Sequence, residues 1–105
     1  MNIIIFRKDG IYLFKVKKCQ FFSFLFENIG GILNFSTLSK KKFYVESPYD
    51  LFHRNIPFCS IFKKPAYGNV AVIGKHGCGP RGLTKAQVQE IEKKIVNIGF
   101  VLHKK

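Results

Sequence analysis

The stretch from Asn69 to Gly99, NVAVIGKHGCGPRGLTKAQVQEIEKKIVNIG, decides how the chain folds. Its first four apolar residues, Val70 to Ile73, read as a short buried strand. A glycine-rich basic loop follows from Gly74 to Gly82. The spacing then predicts a helix from about Lys85 to Ile98. Thr84 is its N-cap, and Gln87 stands where a capping box needs it. Leu83 and Val88 can form a hydrophobic staple across that start. Val88, Ile91, Ile95 and Ile98 recur at helical spacing and share one face. Lys93 and Lys94 suit the negative end of the helix dipole, and Gly99 stops the helix.

This strand, loop and helix bring backbone N–H groups, cations and a helix start close together, a combination that attracts phosphate. Lys75, His76, Arg81 and Lys85 are therefore the first candidates for phosphate contact. The plainer reading is a connection whose glycines only solve backbone geometry. Charge favours the first reading. Lys and Arg number 18 against 6 Asp and Glu, a net charge of +12 in 105 residues, with a pI of 9.9. So large an excess favours a polyanionic partner, and nucleic acid is the commonest.

Working outward toward the start, Asn2 to Lys18 reads as a hairpin turning at Asp9-Gly10. Gln20 to Leu38 is dense in Phe and broken by Gly30-Gly31. It fits either a short helix and a strand or two strands. The chain holds 12 Phe and no Trp. Core packing is the first explanation for so many rings, and burial against a partner or stacking on bases the others. Ser39 to Lys42 is a basic tract, and Lys40, Lys41 and Lys42 are secondary phosphate candidates together with Lys63 and Lys64. Phe43 to Val45 reads as a strand and Ser47 to Pro57 as irregular. Phe58 to Phe62 reads as another strand. Phe100 to Leu102 can pack or extend a sheet, and His103 to Lys105 reads as a flexible basic end.

The fold class expected is α+β: one basic domain over 1–105, with several mostly antiparallel strands and one main helix at about 85–98. Residues 1–66 form its β-rich, Phe-rich part, and 67–105 its strand, glycine loop and helix.

Other chemistries find little support. Cys19, Cys59 and Cys78 lack CxxC spacing, so neither a zinc site nor any other metal or cofactor is expected. Glu90 and Glu92 point to different sides of a helix and make a poor acid–base pair. Cys78 near His76 lacks an orienting acid, and the loop lacks phosphate-loop spacing, so no enzyme and no small-molecule substrate is expected. No uncharged run is long enough for a membrane span. Joint enrichment in Lys, Phe, Ile and Asn fits an AT-rich genome. The start lacks a transit-peptide pattern, so a protein working in an organelle would be made there.

From Gly68 to Lys94 the chain resembles the bacterial-type large-subunit ribosomal protein sixteen, including its mitochondrial forms. The likeness rests on Gly68-Asn69, the strand Val70 to Ile73, the turn Gly74-Lys75-His76-Gly77, and the helix start Leu83-Thr84-Lys85-Ala86-Gln87-Val88. It covers about a quarter of the chain. Here the loop before Leu83 is shorter, and the second half of that family's domain has no counterpart. The helix start is also similar to one in small-subunit ribosomal protein thirteen. The resemblance implies a structural, rRNA-binding role beside neighbouring ribosomal proteins, in a mitochondrial ribosome. The alternative is a non-catalytic accessory subunit of an organelle complex that docks through its Phe-rich stretch.

Overall fold

Ile3 to Phe6 and Val70 to Ile73 are apolar at every position. In a strand this means burial on both faces. The computed structural model, which describes residues 1–77 and 79–105, places both runs with no exposure at all. They lie in adjacent antiparallel strands, β1 (Asn2–Arg7) and β5 (Val70–His76), with Ile4 opposite Val72. Around them the described residues form one sheet ordered β3-β4-β5-β1-β2-β7. The other members are β2 (Gly10–Lys15), β3 (Asn34–Ser39), β4 (Lys42–Glu46) and β7 (Leu102–Lys104), with β6 (Gly79–Arg81) paired to the far part of β5. All pairings are antiparallel except β2 with β7. The fold is an α+β single domain, as the composition and patterning imply.

Each face of the sheet has its own apolar layer. Ile3, Ile5, Ala71 and Ile73 face helix α1 (Phe21–Asn28), which buries Phe21 and Leu25 against them. Ile4, Phe6, Val70 and Val72 face α2 (Ile56–Phe62) and α3 (Lys85–Asn97). Helix α3 buries Val88, Ile91 and Ile95, the stripe set by its periodicity, and Ile98 is its C-cap. Both bonds of the capping box form: Gln87 N–H donates to Thr84 Oγ1 at 3.1 Å, and Thr84 N–H donates to Gln87 Oε1 at 2.9 Å. Phe58 meets Phe6 edge to face at 5.7 Å and lies tilted against Tyr44 at 5.0 Å. Burial of each such ring contributes roughly 1.5–3 kcal/mol.

Four expectations need correction or completion. Phe58 to Phe62 is helical. Asn55 caps α2 by accepting Phe58 N–H, and Pro57 sits in the first turn, where a missing N–H costs nothing. In the expected loop, Gly74 to His76 and Gly79 to Arg81 form a β-ribbon, because the far half of β5 pairs with β6. His103 and Lys104 belong to β7, and Lys105 N–H donates to Leu13 carbonyl at 3.0 Å, so this end is fastened to the sheet. Gln20 to Leu38 takes the helix-and-strand alternative, α1 then β3. Among the described residues no helix is long and apolar enough to cross a membrane.

Candidate nucleic-acid interface

The strand directions bring several of the candidate cations to one end of the sheet. β1 starts there, β5 ends there, and the β3–β4 turn closes there at Lys40-Lys41. Lys75 N–H donates to Lys41 carbonyl at 2.8 Å, and Gln87 Nε2 reaches the same oxygen at 3.3 Å. These bonds fix the turn against both the ribbon and the start of α3. Leu83 N–H donates to Asn2 carbonyl at 2.8 Å, so the chain leaves the ribbon at a set point before Lys85. Lys40, Lys41, Lys75, His76, Arg81 and Lys85 thus share one end of the molecule. Lys18 joins them. It lines a shallow depression with His76, Pro80 and Arg81, beside Met1 and Asn2. Sequence reasoning missed Lys18, because its approach depends on Val16 N–H bonding to Met1 carbonyl at 2.8 Å, a contact fixed only by the hairpin register.

Sterics account for two glycines of the ribbon. A Cβ on Gly74 would stand 2.5 Å from Gly82 carbonyl oxygen, and one on Gly82 would stand 2.8 Å from Met1 Cα. Both positions need glycine because backbones cross there. The ribbon also separates side chains expected to work together. Register pairs Gly74 with Arg81 and Lys75 with Pro80. In a strand, neighbouring side chains alternate between faces. Arg81 and His76 therefore lie on the α3 side, and Lys75 on the α1 side, where its ammonium sits 5.1 Å over the Phe43 ring. Lys75 and Arg81 do not converge on one point.

Charge is unevenly divided between the two ends. Among the described residues no carboxylate lies within 4.0 Å of Lys18, Lys40, Lys41, Lys75, Arg81 or Lys85. Glu90 is engaged by Lys42 at 3.6 Å and Lys94 at 3.7 Å, and Glu92 by Lys104 at 3.3 Å. Asp9, Glu46 and Asp50 stand at the other end. Lys42, a sequence candidate, is only 9 % exposed and belongs to its ion pair with Glu90. Lys63 and Lys64 follow α2, with Lys63 in the left-handed region as its C-cap, and they are not part of the basic end. Cys78 lies outside the described residues.

The opposite end is a cleft lined by Arg7, His53, Arg54, Phe52 and Phe100 among others. Arg7 bonds Asn28 Oδ1 and stacks over Tyr12 and Phe14. Asp50 accepts N–H bonds from His53 at 2.9 Å and Phe52 at 3.1 Å, and its carboxylate bonds the His53 ring at 3.2 Å. The His53 N–H bond is the main reason its carboxyl is held below its ordinary value. Among the described residues no three His, Cys, Asp or Glu side chains are grouped to hold a metal ion. No family model, no curated protein and no solved structure matches this chain.

Proposed function

We propose that the protein is a non-catalytic structural subunit of a ribosome, a mitochondrial one, that binds and positions rRNA through the basic end of its sheet. The observation that carries this reading is the segregation of charge. Six cations occupy one end without an ion-pair partner among the described residues, while Asp9, Glu46 and Asp50 are at the other end and Glu90 and Glu92 are already engaged. Cations held apart from carboxylates keep their full field for a polyanion, and phosphate contacts of this kind position RNA without reading its bases. The start of α3 adds unpaired N–H groups beside Lys85. The ribosomal assignment and its mitochondrial setting rest on the likeness at Gly68 to Lys94 and on the AT-biased composition.

Filter binding of a short RNA duplex over a salt series tests the reading. Binding should weaken with salt with a log–log slope of several units, about 0.7–0.9 for each phosphate neutralised. A flat dependence sinks it. One observation favours the accessory-subunit alternative: Phe22, Phe26 and Ile32, on and just after α1, are about half exposed, as a docking face would be. Co-sedimentation with ribosomal particles, as against detergent-dependent association with a membrane complex, separates the two.

A further inference from the structure

We infer that the protein pairs with a second copy of itself along β3, joining the two sheets into one; the inference does not depend on the RNA-binding reading. It starts from the two sides of the sheet. β7 closes one side with three residues, Leu102–Lys104, of which His103 and Lys104 are basic, and Lys105 follows. A short cationic edge resists further pairing. β3 closes the other side with six residues, Asn34–Ser39, and carries no charge in a chain of net +12. Its sole neighbour among the described residues is β4, so the backbone N–H and C=O groups on its outer side have no strand to bond. From Asn34 to Thr37 the register with β4 is regular, and the irregularity lies between Thr37 and Ser39. Such an edge is a template for one kind of occupant, an extended strand.

Two observations make that strand a second β3. The first is charge. β3 runs from the end of the sheet that holds Glu46, opposite Asn34, to the basic turn at Lys40-Lys41. Glu27 is exposed in the last turn of α1 at the Glu46 end too, since Asn28 beside it bonds Arg7 and Asn69 there. A two-fold axis perpendicular to the sheet sets the two β3 strands antiparallel, so the basic turn of each copy comes beside the carboxylate end of the other. The net charge of each copy opposes association, and this placing keeps the two basic ends apart. The second observation is the apolar surface beside the edge. Phe22 and Phe26 of α1, with Ile32, are half exposed, and Phe22 lies 6.5 Å from Phe35 of β3. The axis keeps both copies of α1 on one face of the joined sheet. Each set of rings therefore meets its own copy, and both are covered at once. Opposite residues in paired strands share a face, so a residue near the middle of β3 stands opposite itself. Ser36 is central, and Phe35 then faces Thr37 of the second copy.

Sedimentation equilibrium of the full chain near physiological salt tests the inference, and a dimer should form by about 100 μM. Thr37→Lys should weaken it by on the order of 10-fold, as a charge enters the joint, and Phe22/Phe26→Ser by on the order of 100-fold. Gln89→Lys adds the same charge at an exposed position on α3 and should leave the dimer unchanged. Mixing Thr37→Lys with Thr37→Glu should restore association as a mixed dimer. Circular dichroism verifies folding of each variant. Hydrogen exchange needs no variant: the amides of Asn34 to Ser39 should slow as concentration rises through the transition, while those of β7 keep their rates. A chain that stays monomeric at about 100 μM overturns the inference, including one that takes up a strand from another protein instead. So does a dimer that Thr37→Lys and Phe22/Phe26→Ser leave intact, or one whose exchange slows in β7 rather than in β3.

Discussion

Replacing Arg81 with Ala is expected to weaken RNA binding by roughly 1–3 kcal/mol, the scale of a charge-assisted hydrogen bond. The salt slope should fall by about one unit, which a filter-binding titration reads directly. Lys42→Ala should behave oppositely. Lys42 is buried against Glu90, and Glu90 itself is 56 % exposed, so solvent already screens the pair. Chemical unfolding should then show a loss of about 1 kcal/mol or less, with RNA affinity unchanged. Nothing local distinguishes Lys42 from Lys40 and Lys41 in the sequence. The difference arises from Glu90, which arrives 48 positions later in the chain. Asp50 carries a pH dependence. Its folded carboxyl titrates below its ordinary value, chiefly through the His53 N–H bond. The stability it contributes is therefore complete above that ordinary value and is lost as pH falls through it and below. Thermal melts taken from about neutral pH down to about pH 3 should show this loss, and Asp50→Asn should remove that component of it.

Helix ends give the next set of expectations. Thr84→Ala removes one arm of a complete capping box and should cost about 1 kcal/mol of stability, with RNA binding changed only indirectly. Asn55→Ala should cost more, roughly 2–4 kcal/mol, because it strips the α2 cap and also leaves buried carbonyls without a donor. Asn55 Nδ2 donates to Phe6 carbonyl at 2.9 Å and to Gly68 carbonyl at 2.8 Å, so one side chain ties α2 to β1 and to the entry of β5. Denaturant midpoints of the two variants check the order. The two helices also show what local sequence can disclose. Thr84, Gln87 and an apolar period carried along a thirteen-residue helix make α3 readable without tertiary information. Helix α2 has seven residues, too few for a period to stand out. Asn55 and Pro57 read as breakers there, although the same two residues serve as cap and first-turn proline. The ribbon escaped notice for a related reason. Glycines and a proline suggest a loop, and only pairing across β5 reveals Gly79 to Arg81 as a strand.

At the scale of the whole molecule, two consequences of the +12 charge should run in opposite directions. Added salt screens repulsion among the cations, so the melting temperature of the isolated protein should rise with ionic strength. The same salt should weaken RNA binding. Calorimetry and binding titrations in one buffer series would show the two trends crossing, and a melting temperature that falls with salt would contradict the charge segregation described here. The fold class was legible because its central strands, β1 and β5, each carry a run apolar at every position, Ile3 to Phe6 and Val70 to Ile73, and its turns carry ordinary turn residues. The sheet order was not, because it depends on partners as far apart as Ile11 and Leu102. The basic end was half legible. Its residue types were plain, but the division of Lys75 from Arg81 follows from register, and the inclusion of Lys18 follows from the hairpin that precedes it.

The central place of β5 also sets a timetable. Hairpins β1–β2 and β3–β4 are synthesised first, yet they never pair with each other; both border a strand that begins only at Val70. Until that strand leaves the ribosome that makes it, each hairpin presents an open, uncovered edge. Chains stalled near Ala66 would carry two such edges and no means of joining them, which invites pairing with other chains. Chaperone capture of nascent chains should accordingly peak for those lengths and fall once the residues through α3 are free to fold.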